Sequence, residues 1–398
     1  MRGVRKLGVC VFGAICSAFA PGLPRAGPPD HCFESNGLRV CHSPADRSVF
    51  YDTPPDRVAY NVQTVHDGAR YWTIYHAEPL GPLRGGDSIR AGLALGAYRF
   101  RMPPHTSQVG GVEGDPASLL DSDGVGGGGN PMVVSGRPGD PFFYVFFLGV
   151  SDDARVRDHK AGDWRHYLIE ARTKDFAAFD IKTAAGWASF TAAVRPAPSK
   201  DANGNVIRSN TPRTIDKTQG LIGSISYVRG VYHYFYLDYA PDGASIHLYH
   251  RTSTDVAHGV WSAPETVAAV ADFSMIRVAK AKTLDRWAVL YGCYAQGVQD
   301  VCVQYTRTLA VIGPQGLSDL RLTSDYALGL SADGKARSYA QPDWLTDRWG
   351  VLDTVGPHQA EEFYWTDMDP ENCKARPIPY CPVAGGVVYR AGWTVSGP

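Results

Sequence analysis

The side chains best placed to do chemistry in this sequence are carboxylates near strand openings. Asp272 immediately precedes the apolar run 273–279, and Asp343 lies within the run 338–345. Asp123, with Asp121 beside it, stands in a glycine-rich approach to another apolar run, and Glu361 follows His358. Two carboxyl groups that face each other can divide proton transfer between them, one giving and one taking. A Glu near a His in a cleft is open to a raised pKa that suits it to the acid role. Against this stands the ordinary work of Asp in loops, which is to bond its own backbone in a turn. Asp216 and Glu78 are open to the same two readings. Other chemistries lack their patterns: there is no Gly-x-Ser-x-Gly elbow, no His-Glu-x-x-His and no EF-hand spacing. The glycine run 124–129 has no Lys-Ser/Thr to cradle a phosphate. No cofactor is expected, no metal ligand is singled out, and a structural Ca²⁺ stays open.

The elements that must position these groups form a repeat. Each unit has an apolar strand, a short turn with Gly or Asp, a Tyr/Phe/Trp-rich strand and a polar third strand. The units fall at about 56–102, 130–194, 219–268, 272–312 and 336–396. Period-two alternation supports strands throughout, and no long stretch has helical periodicity. Two third-strand endings echo one another, 170–176 (EARTKDF) and 250–256 (HRTSTDV). Such modules cannot bury both faces alone and must stack around an axis. The fold class expected is therefore all-β, a five-bladed β-propeller forming one domain over 27–398; a pair of β-sandwiches is the alternative. The long segments 103–129 and 195–220 are either functional loops or plain connectors.

With 44% hydrophobic and 20% charged residues and a formal net charge of −1, the chain has no basic field for nucleic acid. Arg2, Arg5 and Lys6 followed by the apolar run 7–20 read as an export signal ending at Ala20 or near Ala26. That run is short for a membrane span, so a secreted or periplasmic protein is expected, with no stable membrane insertion once the signal is removed. Of eight cysteines, six lie beyond residue 26, in the close pairs Cys32/Cys41, Cys293/Cys302 and Cys373/Cys381. An even set in an exported chain reads as disulfides, and the spacings are too long for zinc.

The blade openings and hairpins carry a family resemblance. The stretches 129–134 (GNPMVV) with 142–149 (FFYVFFLG), 223–236 (GSISYVRGVYHYFY), and 251–255 (RTSTD) with 261–264 (WSAP) resemble the five-bladed propeller glycoside hydrolases, a group that includes family 43. The resemblance implies hydrolysis of an oligo- or polysaccharide by carboxylates at the innermost strands, one protonating the leaving oxygen and one activating water or attacking. This chain departs at those positions. It has Asn130 before Pro131 where the family has Asp, Asn61 in the first unit, and Leu221 and Ile222 where the family places its acid Glu. An amide cannot act as general base. Asn61 and Asn130 are then expected to bind substrate, and Asp272, Asp343, Asp123 and Glu361 to serve as displaced carboxylates. Trp72 and Trp344 are the expected stacking platforms, with Tyr232, Tyr234 and Trp365 as further aromatics; inter-blade packing is the competing role for all of them. A silent propeller that binds glycan or protein without turnover is the alternative to an enzyme.

Overall fold

Runs of β-branched and aromatic residues broken by Gly, Asp and Asn turns favour strands over helices. A computed structural model describes residues 31–42, 48–52, 57–79, 96–99, 129–150, 166–176, 178–190, 194, 196–210, 220–243, 245–270, 276–282, 284–295, 298–307, 338–355, 360–368 and 387–397. Apart from a 3₁₀ turn at Val256–His258, its elements are all strands. In chain order β1 is His31–Ser35, β2 Leu38–His42, β3 Ser48–Asp52, β4 Arg57–His66, β5 Tyr71–Pro79 and β6 Gly96–Arg99. The next unit holds β7 Gly129–Ser135, β8 Phe143–Val150, β9 His166–Thr173, β10 Asp180–Thr183 and β11 Gly186–Ser189, followed by β12 Lys200–Asp201. Then come β13 Ile222–Val228, β14 Val231–Tyr239, β15 Ile246–Ser253, β16 Val260–Trp261 and β17 Glu265–Val270. The last two units hold β18 Ile276–Lys280, β19 Trp287–Ala295 and β20 Val298–Thr306, then β21 Ser338–Asp347, β22 Thr354–Val355, β23 Ala360–Met368 and β24 Val387–Ser396.

The first strands β4, β7, β13, β18 and β21 touch one another in succession, and β21 returns to β4. Later strands of each unit pair outward from this ring, a propeller-like arrangement. The expectation of five separate blades needs correction. β21 pairs in parallel with β4 through Leu345↔Thr64, Thr346↔Val65 and Asp347↔His66. The first and last units therefore share one ten-stranded sheet, and the described residues form four sheets of three or more strands plus the pair β12–β16. Residues 349–353 form a turn and short connection ahead of β22 and β23.

Side-chain alternation places successive residues of a strand on opposite faces, and each face packs on a different neighbour. Phe235 and Leu237 join Val278 and Trp287 of the next unit, whereas Tyr234 and Tyr236 join Met132 and Tyr144 of the preceding one. Val65 and Trp72 pack with Val133 and Phe143, and Leu290 and Tyr305 pack with Trp344 and Trp393. The hydrophobic core thus lies between units.

Polar contacts also cross these seams. Gln63 accepts from Val133 N at 2.7 Å and donates to Val133 O at 3.3 Å. Ser224 Oγ accepts from Val278 N at 2.7 Å and donates to Val278 O at 2.9 Å. One end of the ring is plugged by the turn after β21. Arg348 O accepts from Ser135 N, Trp349 O from Tyr227 N, and Leu352 N donates to Lys280 O. Asp353 meets His66 at 2.7 Å and Lys282 at 3.1 Å. The plug therefore reaches all four other first strands at the ends where they finish.

Gly350 shows how close the plug sits. Its φ is +69°, and a Cβ there would lie 2.2 Å from Ile225 O. Gly350→Ala is expected to cost about 2–4 kcal/mol, combining left-handed strain with a backbone clash. Gly68→Ala, at φ +100° with open space around it, should cost only about 1 kcal/mol. Chemical denaturation of both variants measures the difference; equal losses would mean that the plug does not press on β13.

Candidate functional site at the open end of the strand ring

The end of the ring away from the plug is where the first strands start. Three of these strands carry a bulge in their first half. The pairing register slips between Tyr60 and Gln63 in β4, between Gly129 and Met132 in β7, and between Ala340 and Asp343 in β21. Each bulge carries an amide residue, Asn61, Asn130 and Gln341, and in two of them a proline follows, Pro131 and Pro342. Proline has no N–H for a ladder, so a bulge is where a strand tolerates it. Gln341 was not among the expected site residues, although its Pro neighbour repeats the Asn130-Pro131 signal.

Asp343 follows the third bulge directly. It is buried, accepts Arg277 Nε at 2.9 Å and accepts Trp344 N at 2.9 Å. Burial pushes its carboxyl above the usual range, and the Arg277 guanidinium opposes that push. Arg277 is itself 1% exposed, and its Nη2 has no hydrogen-bond partner among the described residues. Because Arg277 lies on β18, this pair also closes the seam between β18 and β21.

A second carboxylate reaches this end from one strand further out. Asp238 lies one residue past Leu237, which pairs with Ile222 at the start of β13. It is buried and accepts the backbone N–H groups of Asn210 and Tyr239, both at 2.8 Å. Its flank Tyr234-Phe235-Tyr236 reads as core, so the sequence alone offered little reason to single it out.

Among the described residues, Glu361, Trp344 and Trp72 are not gathered here. Glu361 is buried between units, where Oε2 accepts Trp393 Nε1 at 2.9 Å and the hydroxyl of Tyr305. These partners lie on β24 and β20, so the structure does not bring Glu361 to the Asp343–Arg277 pair. Burial pushes the Glu361 carboxyl up to about 7, and the two donors moderate the shift. Trp344 is 1% exposed and Trp72 6% exposed, which corrects their reading as sugar platforms. Both belong to inter-unit packing, and Trp72 also donates to Asp67 Oδ2 at 2.6 Å. Tyr232 and Tyr234 are likewise buried. Asp272, Asp123, Asp121 and Asp216 lie outside the described residues, as do Cys373 and Cys381.

Cys32 and Cys41 are bonded, directly opposite in the β1–β2 register. Cys293 and Cys302 lie on paired strands but two positions apart, opposite Asp300 and Tyr291 respectively. Among the described residues no group of three or more His, Cys, Asp or Glu is arranged to hold a metal, and no helix is long and apolar enough to cross a membrane.

No family model matches the chain, and no curated protein matches its sequence. Solved structures do resemble it. A GH62 hydrolase in complex with xylotriose is 12% identical at a TM-score of 0.49, covering 86% of this chain and 94% of that one. The catalytic domain of a Coprinopsis cinerea GH62 alpha-L-arabinofuranosidase is 10% identical at 0.46, covering 86% and 92%. A family 117 glycoside hydrolase from Zobellia galactanivorans is 10% identical at 0.45, covering 87% and 90%. Likenesses this distant assign no activity and no residue.

The state of Glu361 has a measurable consequence. A carboxyl whose folded pKa is near 7, against about 4.3 when unfolded, holds its proton more tightly in the folded chain. The stability it contributes is fully present below the unfolded value and lost as pH rises through 7. Glu170, buried against Lys182 and pushed up to about 8, acts in the same direction. His233 and His250, pushed down to about 4 by burial, act oppositely and have finished titrating by roughly pH 7.5, one unit above their usual value. Comparing parent and Glu361→Gln between pH 6 and 8 cancels the His contribution common to both. The variant should retain on the order of 1–3 kcal/mol more of its pH 6 stability at pH 8; parallel stability curves would place the Glu361 pKa near the ordinary carboxylate value.

Proposed function

We propose that this chain is an exported carbohydrate-active propeller, a glycoside hydrolase that takes its oligosaccharide at the open end of the strand ring. The observation that carries this reading is the asymmetry of the ring. One end is filled by the turn at 347–353, while the other gathers three amide-bearing bulges and the buried Arg277–Asp343 pair. The repeat supplies five first strands, and the first and last units are joined along β21 and β4 into one sheet, so four sheets surround the ring. Export is our reading of the first 26 residues, and amino-terminal sequencing of secreted material should begin near residue 21 or 27.

Cleavage of a glycosidic bond needs one carboxyl to protonate the leaving oxygen and another to activate water or attack. Asp343 supplies one, held by Arg277, whose remaining donor is suited to a sugar hydroxyl. Asp272, four residues ahead of β18, and Asp238 are the candidates for the other; Asp123 is the reserve carboxylate on the approach to β7. Asn61, Asn130 and Gln341 would bind hydroxyls, since a primary amide both donates and accepts. The second reading is a propeller that binds glycan without turnover. It is favoured by the very engagement of Asp343 with Arg277, which suits a structural role.

Reducing-sugar release from a panel of arabino- and xylo-oligosaccharides separates the two. The hydrolase reading expects turnover that falls about 10²–10⁴-fold in Asp343→Asn and in Asp272→Asn, with melting curves showing that each variant folds. Binding by calorimetry without turnover in the parent would leave the silent propeller. Turnover unaffected by both substitutions would move the chemistry elsewhere.

A further inference from the structure

The plugged end collects charge as well as backbone contacts. Every turn joining a first strand to the segment after it lies at this end, because the first strands all run the same way around the ring. The five turns, at 66–71, 136–142, 229–230, 280–287 and 347–353, hold seven Lys or Arg against five Asp, although the whole chain is slightly acidic with a net charge of −1. The two signs are also used differently. Asp67 accepts from Ala69 N, Arg70 N and Trp72 Nε1. Asp140 accepts from Phe142 N and Tyr144 Oη, and Asp347 from Trp349 N and Val351 N. These three carboxylates shape their own turns; of the other two, Asp353 meets His66 and Lys282, and Asp285 is exposed and paired with Lys280. By contrast Arg70 and Arg229 are exposed, and Arg137 and Lys282 keep 57% and 52% side-chain exposure even while meeting Asp255 and Asp353.

Two aromatic rings stand near the middle of this basic rim. Trp349, in the plug, and Tyr227, at the finishing end of β13, are half-buried with ring centroids 5.4 Å apart. Arg348 lies over Trp349 at 5.1 Å. Aromatic faces bordered by cations suit a partner that is flat, apolar on one face and negatively charged at its edges. The described residues with large exposed hydrophobics are Val206 and Val260, neither in these turns, so the face lacks the apolar wedges that would enter a bilayer.

We infer that the plugged face is a second glycan-binding surface, separate from the open end, that docks an acidic polysaccharide of the uronate type through Arg70, Arg137, Arg229 and the Trp349–Tyr227 pair. The choice of a glycan among polyanions rests on the proposed carbohydrate function; the charge and the rings do not. Such a surface would hold the protein on an anionic polymer while the other end engages chain termini.

Affinity electrophoresis and calorimetry with polygalacturonate, neutral arabinan and polyglutamate test this on the full-length protein. The parent should bind polygalacturonate in low salt, lose affinity steeply as salt rises, and bind arabinan weakly at this face. The combined variant Arg70→Gln, Arg137→Gln, Arg229→Asn replaces exposed residues and should fold as the parent does, while binding polygalacturonate at least about 10-fold more weakly. Trp349→Gln should weaken polygalacturonate binding and leave polyglutamate unchanged. Unaltered affinity in the triple variant, or no binding by the parent, overturns the inference. Equal binding of polyglutamate and polygalacturonate by parent and Trp349→Gln alike would overturn the glycan identity. Turnover or binding of short neutral oligosaccharides should be the same in parent and triple variant, so failure at the open end and failure at the plugged face are read separately.

Discussion

A ring of strands that do not pair with one another leaves backbone edges to satisfy, and this constraint organises the molecule. Outward pairing uses one edge of each first strand; the inward edge has N–H and C=O groups whose burial without partners would be costly. Among the described first strands, β21 and β4 solve this by direct parallel pairing. At two other seams a side chain stands in for a strand. The Gln63 amide bonds both backbone groups of Val133, and the Ser224 hydroxyl does the same for Val278. Both devices need a group that gives and takes at once, which amides and hydroxyls can do and carboxylates cannot. The plug continues the logic at one end, where its own backbone groups serve Ser135, Tyr227 and Lys280.

The same constraint weighs on the chemistry. The Arg277–Asp343 contact closes one seam with an ion pair, and removing either partner would strand a buried charge at a cost of about 3–5 kcal/mol. A carboxylate held this firmly is well oriented for an axial ligand but less free to exchange a proton. Asp238 is similarly engaged by two backbone amides. Loss of activity on substituting either therefore has to be separated from loss of the seam, which makes the folding measurement as informative as the kinetics. Glu361 illustrates the opposite case: its raised pKa comes from burial in an aromatic cage between units and does not mark a cleft.

Much of the architecture was legible because it rests on local pattern. Alternation and turn residues mark the strands, and the echo between 170–176 and 250–256 corresponds to one device used twice. Thr173 Oγ1 accepts from Phe176 N, Ser253 Oγ accepts from Asp255 N, and Phe176 and Val256 are both buried. The β1–β2 hairpin was legible through its cysteines, and Asn36-Gly37 at positive φ fits its tight turn. What sequence could not supply was register across seams. Nothing local shows that 349–353 turns back across the axis, or that β21 reaches β4 across the whole length of the chain. The same limit misplaced Trp344 and Trp72, since an aromatic beside an Asp or after a turn looks alike whether it faces solvent or the next unit.

The bulges connect these points. The register of β4, β7 and β21 slips just ahead of Gln63, Met132 and Asp343 respectively, each of which contacts a neighbouring unit. A bulge re-aims the backbone and takes its own residues, here 61–62, 130–131 and 341–342, out of the ladder, while the residues after it are locked into the ring. Just beyond the third bulge the Arg277–Asp343 ion pair gives this end a fixed, charged floor. For the proposed uncharged polyhydroxylated ligand the amide residues of the three bulges would be suited partners, because a primary amide both donates and accepts and needs no counter-charge. A strongly anionic ligand suits the plugged end instead, where Arg70, Arg137 and Arg229 are exposed and Asp67, Asp140 and Asp347 bond their own turns.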